Sequence, residues 1–257
     1  MNEMQGKNWI KDNSPFRLKD SGIHEVLKIP VEDKNTLVKK IPTSYDNPEI
    51  IVRECNEKRR LFKDFSSKYG VNAPDVDYVI GPSSNIGTAR ASLYQVKDRI
   101  YGIEFDEEEE TPEDIPIRIE ELPRFKEEIE KTLSALSRYW LDAYSDDSPY
   151  LFDIFYPRQY TYGKKAGEGA NKMYLVDVDD FRECAKESRL ENAIDIAIMI
   201  SYFEEYLGGT KLFSARLSLL NSINSLTEDN DLKKELLTSA NSILNTEEKD
   251  NNAKNSA

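Results

Sequence analysis

The sequence predicts an α+β fold in which strands and one helix form the first part of the chain and helices dominate the second. Apolar and polar residues alternate at the period of a β-strand in several stretches before residue 105, and apolar residues recur every three or four positions after residue 122. Between these regions lies an acidic, proline-containing stretch that is too charged to pack. We therefore predict a strand-rich lobe over residues 1–105, a connector over 106–122, a helical lobe over 123–245 and a disordered tail over 246–257.

The first lobe begins with a predicted hairpin in residues 21–42, where apolar residues alternate on both sides of an Asp33-Lys34-Asn35 turn. Pro48 then begins a helix, which Gly70 ends. One face of this helix is predicted to be mostly apolar and holds Ile51, Cys55, Lys58, Phe62 and Phe65.

Two further strands and the connector complete the first half of the chain. The strands are predicted over residues 76–80 and 92–103, with a turn at Gly81-Pro82 between them. The connector begins with the carboxylate run Asp106–Glu110. A solvated loop is the expected structure there, with an acidic docking site as the alternative.

The second half is predicted to be helical apart from one short hairpin. A long amphipathic helix begins at Pro123, and strands over residues 160–162 and 173–178 follow it. Residues 192–207 are apolar on nearly every face, which predicts a helix surrounded by protein that Gly208-Gly209 ends. Two amphipathic helices come last. The predicted buried residues of these four helices are, in order, Phe125, Ile129, Leu133, Leu136, Trp140 and Tyr144; Ile194, Ile196, Ile198, Met199 and Ile200; Leu212, Leu219, Leu220 and Ile223; and Leu232, Leu236, Ala240 and Ile243.

Composition and charge argue against several classes of function. The net charge of −13 repels phosphate backbones, so we expect no nucleic-acid partner. No stretch approaches the roughly 20 apolar residues that cross a bilayer, and residues 1–12 hold no apolar leader, so we expect a cytoplasmic protein without a membrane partner. His24 is the only histidine and there is no Gly-x-Ser-x-Gly motif, which argues against a serine or cysteine hydrolase.

Three carboxylates at the end of a short apolar strand form the densest candidate site. The apolar run that begins at Met173 is followed by Asp177, Asp179 and Asp180. Clustered carboxylates repel one another unless a cation is bound, which predicts a magnesium site. The alternative is that these residues only turn the chain and cap the next helix. The pattern also resembles the nucleophile motif of haloacid dehalogenase phosphatases, but with Phe181 in place of Thr and with helices instead of a parallel sheet after it.

A second cluster lies upstream, on the loop between the long helix and the short hairpin. It holds Asp153 and Gln159. A loop with an acid and an amide, followed by a hairpin and then by Asp177 at a strand end, would bring an acid, an amide and a metal ligand into one cleft.

The order of these elements and the residues on them resemble the protein kinase-like fold. The segment Thr36–Ile41 resembles the strand that carries the nucleotide-holding lysine, which implies that Lys39 contacts phosphates, with Lys40 as the alternative register. The following helix resembles the one whose glutamate pairs with that lysine, which implies this role for Glu54, with Glu57 as the alternative.

Later segments continue the resemblance. The strand before the connector resembles the hinge strand that lines an adenine pocket, which implies that Val96 and Asp98 contribute to nucleotide binding. Asp153 and Gln159 fall in the catalytic loop. The resemblance implies that Asp153 positions an acceptor hydroxyl, and that Gln159 and Asp177 bind magnesium.

The resemblance covers roughly residues 20–225 and implies two lobes, a small antiparallel-sheet lobe with one helix and a mainly helical C-terminal lobe. Such a protein would bind ATP and magnesium in the inter-lobe cleft and transfer phosphate to an unknown acceptor. The alternative is a catalytically inactive pseudokinase that acts as a binding or scaffold module for a protein partner. Of the departures from the family pattern, the missing glycine-rich loop and the displaced Asp153 favour it. The predicted hairpin holds only Gly22 instead of a glycine-rich loop, alignment on Pro157 puts Ile154 at the catalytic position, and Gln159 replaces Asn.

Overall fold

The computed structural model of the protein shows an α+β fold with small antiparallel sheets. This confirms the fold class predicted from the sequence. The structure describes residues 9–11, 28–30, 35–41, 48–82, 91–105, 117–145, 150–151, 153–176, 181–182, 186–227 and 230–254. The chain divides into two compact units. Unit 1 comprises Met1–Leu61, Pro74–Tyr101 and Lys165–Glu168, and unit 2 comprises Phe62–Ala73, Gly102–Lys164 and Gly169–Ala257.

Unit 1 contains two antiparallel sheets. β1 (Trp9–Lys11) pairs with β2 (Lys28–Pro30). β3 (Thr36–Ile41), β4 (Val76–Pro82) and β5 (Ala91–Asp98) form the other sheet, in the order β3–β5–β4. The hairpin predicted from the sequence is wrong in its pairing, because among the described residues β2 pairs with β1 and β3 pairs with β5. Alternating residues identify a strand and its buried face, but they do not identify its partner.

The predicted helix after β3 is confirmed as α1 (Pro48–Tyr69). Proline is favoured at a helix start because its fixed φ suits the first turn and its missing N–H would have no partner there. Gly70 ends the helix with a φ of 71°, in the left-handed region that glycine adopts without strain. Phe62 and Phe65 are buried as predicted, with 9% and 2% exposure. The boundary between the two units falls within α1, after Leu61.

The strand predicted over residues 92–103 is in fact two strands. β5 ends at Asp98, where the next N–H, that of Arg99, donates to the carbonyl of Asn35 at 2.9 Å. β6 (Tyr101–Glu104) then joins a sheet of unit 2. Gly102 permits a close approach there, because an added Cβ would lie 2.5 Å from the Cα of Gly163. β4 includes Gly81 and Pro82, where the sequence predicts a turn.

Unit 2 contains the predicted short hairpin and a second strand pair. β7 (Tyr150–Leu151) precedes the hairpin, which consists of β8 (Tyr160–Lys164) and β9 (Lys172–Leu175). Tyr160 lies opposite Leu175 and Tyr162 opposite Met173, and β6 extends the sheet in the order β6–β8–β9. β10 (Phe181–Arg182) pairs antiparallel with β7. β9 ends before Val176, and the last two residues of the second predicted strand, Asp177 and Val178, lie outside the described residues.

Four helices form most of unit 2. They are α2 (Leu122–Ser145), α3 (Lys186–Tyr206), α4 (Phe213–Asn224) and α5 (Asn230–Lys254). α3 contacts each of the other three, as predicted for a central helix. Every residue predicted on the buried face of α2 is buried, with an exposure of 5% or less.

Other positions of the helices differ from the prediction. Ile198 on α3 is 47% exposed although Ile196 and Ile200 are fully buried, so α3 is not covered on all sides. An all-apolar pattern does not show which face lacks a neighbour. Four further residues predicted to be buried are partly exposed: Ile194, Leu220, Leu232 and Ile243. α5 extends to Lys254, beyond Thr246, where the sequence predicts that a tail begins.

The acidic run at the start of the predicted connector lies outside the described residues, which resume at residue 117. A 3₁₀ turn over Ile119–Glu121 then leads into α2, and Ile119 is 82% exposed. In the part of the chain that the structure describes, no helix combines the length and the apolar character needed to span a lipid bilayer.

Candidate functional site

The residues Asp153 and Gln159, predicted to act together, lie on one short segment of unit 2 and contact each other. Two 3₁₀ turns, Asp153–Phe155 and Pro157–Gln159, form this segment, which we call the Asp153 loop. The side-chain Nε2 of Gln159 donates a hydrogen bond to Oδ2 of Asp153 at 3.3 Å. Gln159 is buried, and Asp153 is partly buried. The loop therefore holds a carboxylate and an amide side by side.

Local sequence explains the shape of the Asp153 loop. Pro157 begins the second turn, and the N–H of Gln159 closes it by donating to the carbonyl of Tyr156 at 3.1 Å. Immediately after the loop, the buried hydroxyl of Tyr160 donates to the carbonyl of Ile154 at 2.9 Å. Burial, and secondly the charge of Asp153, raises the pKa of Tyr160 well above its ordinary value, so this hydroxyl keeps its proton.

Of the described residues that flank the acidic segment 177–180, one is hydrogen-bonded to the Asp153 loop and the other pairs with β7, just before the loop. The N–H of Val176 donates to the carbonyl of Gln159 at 2.8 Å, and Val176 is the residue before Asp177. On the other side of the segment, Phe181 pairs with Leu151. The acidic residues 177–180 themselves lie outside the described residues. The role of Asp177 as a metal ligand therefore stays a prediction. The residue before it, Val176, is hydrogen-bonded to the backbone of Gln159, which is the other predicted metal ligand.

The predicted lysine–glutamate pair belongs to unit 1. Lys39 lies in β3 opposite Gln95, and Glu54 lies in α1. The structure does not describe the side chains of these two residues, so their contact stays a prediction. The alternative glutamate, Glu57, pairs with Arg60 of the same helix at 2.5 Å, and the hydrogen bond from Arg60 lowers the pKa of Glu57.

The two residues predicted to line an adenine pocket, Val96 and Asp98, lie on the central strand β5 of unit 1. Val96 is 1% exposed and pairs with Val38 across the sheet. The carboxylate of Asp98 lies 3.4 Å from the ammonium of Lys165, and its Oδ2 accepts a hydrogen bond of 3.4 Å from the N–H of Asp75. Val96 is thus buried and Asp98 pairs with a lysine of the same unit, and a role for either in nucleotide binding stays a prediction.

Unit 2 also holds a buried cluster of charges that the sequence did not indicate. Glu204 on α3 is fully buried and accepts hydrogen bonds from Arg216 Nε at 2.5 Å, from Lys211 at 3.1 Å and from the N–H of Leu212 at 2.9 Å. Burial by itself would raise the pKa of Glu204, but these donors outweigh it and the pKa is lowered. Because both oxygens accept internal hydrogen bonds, this carboxylate joins helices instead of offering a ligand site.

Two further sources of evidence on function, metal-binding groups in the described part of the chain and similarity to known proteins, give no match. Among the described residues, which leave out Asp177–Asp180, no group of three or more His, Cys, Asp or Glu residues is arranged to hold a metal ion. No protein-family model, curated protein or solved structure matches the chain. The roles of its residues are therefore argued from the chain itself.

Proposed function

We propose that the chain is a divergent kinase-like protein that binds magnesium and the phosphates of a nucleotide at the Asp153 loop. The observation that carries the proposal is the hydrogen bond from Val176 to the carbonyl of Gln159. Val176 immediately precedes Asp177 in the sequence, so the last described residue before the predicted metal ligand is hydrogen-bonded to the loop. Gln159 and Asp177 are then the proposed metal ligands, and Asp153 is the residue that would orient an acceptor hydroxyl.

The chemistry of these side chains suits a magnesium–phosphate site. Magnesium prefers oxygen ligands and is usually held by one or two protein side chains together with substrate phosphates. The Nε2 atom of Gln159 donates to Asp153, so Oε1 is the atom of this amide that can bind a metal. The carboxylate of Asp177 would supply the negative charge that an amide lacks.

The order of elements supports the same proposal. Within unit 1, a strand that carries Lys39, a helix that carries Glu54 and two further strands follow one another, and the last strand is central in the sheet. Within unit 2, a long helix, the Asp153 loop, a hairpin and a central helix follow in the order that the resemblance predicts. This support is an analogy of order, and the activity has to be tested at the site.

Nucleotide binding is tested by thermal unfolding with and without magnesium and ATP. We expect magnesium–ATP to raise the melting temperature, because a ligand at 100 times its dissociation constant stabilises a protein by about 2.7 kcal/mol. Asp177→Asn should remove the shift, and Lys39→Met should reduce it. Asp64→Asn, on the exposed side of α1, is the matched control and should keep it. An unchanged melting temperature at millimolar magnesium–ATP would contradict the proposal.

The alternative function is a pseudokinase that binds a protein partner without transferring phosphate. The displaced position of Asp153 relative to Pro157 favours it, because the residue at the catalytic position is then the fully buried Ile154. The two functions differ in the fate of ATP. An active enzyme should form ADP faster with an acceptor hydroxyl present, and Asp153→Asn should abolish that increase. Binding without any ADP formation would favour the pseudokinase.

A further inference from the structure

Tyr139 on α2 contacts one residue just before the Asp153 loop and one residue within it. Its side chain is 9% exposed, and its hydroxyl accepts a hydrogen bond of 2.8 Å from the N–H of Leu151. Its ring also stacks on the ring of Phe155, with centroids 6.4 Å apart and an interplanar angle of 27°. A single side chain therefore holds residues on either side of Asp153.

On its other side, Tyr139 contacts the last turns of α1. The ring of Phe65 meets it edge-on at 4.8 Å, and the ring of Tyr69 does so at 5.3 Å. Tyr69 is held in turn by its hydroxyl, which donates to Asp142 at 2.6 Å. Aromatic pairs of this kind are favourable beyond the area that they bury. The aromatic cluster formed by Phe65, Tyr69, Tyr139 and Phe155 thus connects α1, α2 and the Asp153 loop within unit 2.

The hydroxyl of Tyr139 is suited to a fixed structural contact. Burial raises the pKa of Tyr139 above its ordinary value, so the group stays neutral at physiological pH. A neutral phenol can accept the hydrogen bond from Leu151 and donate another. Removing the hydroxyl would leave the buried N–H of Leu151 without this acceptor.

We infer that Tyr139 is a positioning residue, which fixes the Asp153 loop and couples it to the end of α1. The importance of this role for ligand binding rests on the proposed function. Its contacts with the N–H of Leu151 and the ring of Phe155 are the means by which it positions the loop. The side-chain hydrogen bond between Gln159 and Asp153 is the contact that it keeps in place.

The test compares Tyr139→Phe with Tyr69→Phe. Both variants keep the aromatic cluster and lose one hydroxyl, but only the first removes a hydrogen bond to the segment before the loop. In hydrogen-exchange NMR, we expect the amides of Leu151 and Phe155 to exchange about tenfold faster in Tyr139→Phe, as the loss of one buried hydrogen bond implies. The side-chain amide resonances of Gln159 should shift as well. Amides of α4 should be unaffected, and Tyr69→Phe should leave the loop unchanged.

Equal exchange of the loop amides in the two variants would overturn the inference, and so would a uniform increase throughout unit 2. Magnesium–ATP gives a separate readout. If magnesium–ATP stabilises the wild-type protein, Tyr139→Phe should weaken magnesium–ATP binding more than Tyr69→Phe does. Equal affinities of the two variants for magnesium–ATP would also overturn the positioning role. A wild-type protein that magnesium–ATP does not stabilise contradicts the proposed function alone, and the exchange comparison still decides the role of Tyr139.

Discussion

Two carboxylates of unit 2, Glu204 and Asp142, each bind a lysine and further donors, but they differ in burial. Glu204 is fully buried and joins α3 to Arg216 of α4, which also donates to the carbonyl of Leu244 on α5 at 2.7 Å. The side chain of Asp142 on α2 is 48% exposed and accepts hydrogen bonds from Lys68 at 2.7 Å and from Tyr69 at 2.6 Å. Similar bonds therefore occur in two very different environments.

The difference shows that the number of hydrogen bonds to a carboxylate does not determine how much that carboxylate contributes to stability. In the buried cluster, loss of one partner would leave a charge without compensation and away from water, which is strongly unfavourable. At the exposed cluster, water replaces any partner that is lost, and salt screens the attraction. We therefore expect Glu204 to be important for the stability of unit 2 and Asp142 to be nearly neutral.

The largest effect is expected for Glu204→Gln. The variant keeps the size of the side chain but leaves Arg216 and Lys211 without their negative partner, which should lower the free energy of unfolding by about 3–5 kcal/mol. Urea unfolding followed by circular dichroism measures this value. Glu205→Gln, at the exposed neighbouring position of α3, is the control and should change it by less than about 0.5 kcal/mol.

A double variant shows whether the effect comes from the unpaired charge. Glu204→Leu combined with Arg216→Leu removes both main partners and replaces them with apolar side chains of moderate size. It should be less destabilising than Glu204→Gln, because buried ion pairs replaced as a whole by apolar residues are often neutral. A double variant that is as unstable as the single one would show that packing, not charge, explains the loss.

The pH dependence of stability should also depend on Glu204. Its pKa is lowered from 4.5 in the folded state, so the folded protein binds this proton less readily than the unfolded chain. Stability from this group is therefore present above about pH 4.5 and is lost as the pH falls through the folded-state pKa. Melting temperatures measured from about pH 7 to pH 3 should fall more steeply for the wild type than for Glu204→Gln. Parallel curves would show that other carboxylates dominate acid unfolding.

These clusters also show how far the sequence can predict the structure. Periodicity identified α2 and its buried face, because residues such as Phe125 and Trp140 recur at the spacing of a helix face. It did not identify the pairing of Glu204 with Arg216, because contacts between two helices depend on how they pack. A signal was present, since Glu204 lies in a helix predicted to be buried nearly all round, and a buried carboxylate needs a partner.

The candidate site was predictable to a similar extent. The sequence placed Asp153 and Gln159 on one loop, and the structure shows that they are hydrogen-bonded. Tyr139 was missed because it lies beside Trp140 in the apolar pattern and is indistinguishable from a core residue there. Its hydroxyl bond to Leu151 depends on where β7 lies, which no local pattern encodes. The roles of Lys39 and Asp177 depend on long-range geometry and stay predictions.

Smaller changes in the free energy of unfolding are expected when the hydroxyls of two buried tyrosines on β8 are removed. These variants compare a paired with an unpaired group where neither is charged. The hydroxyl of Tyr160 donates to the carbonyl of Ile154, whereas that of Tyr162 has no hydrogen-bond partner among the described residues. Tyr160→Phe should lower the free energy of unfolding by about 1–2 kcal/mol. Tyr162→Phe should leave it unchanged or raise it slightly, because it removes a buried polar group that lacks a partner. Urea unfolding of both variants measures the difference, and equal losses would contradict it.

Among the variants that remove an ion pair or a hydrogen bond, the smallest effect is expected for Asp142→Asn, at the exposed carboxylate. The change removes the charge that pairs with Lys68, but the new amide still accepts a hydrogen bond from Tyr69 through its oxygen. We expect a loss of about 0.2–1 kcal/mol at low salt, which should shrink further in 1 M sodium chloride because an exposed pair is screened. Urea unfolding at both salt concentrations measures it. A loss as large as that of Glu204→Gln, and equal at both salt concentrations, would contradict this expectation. It would mean that the contact between Tyr69 and Asp142 holds the end of α1 by a mechanism other than charge.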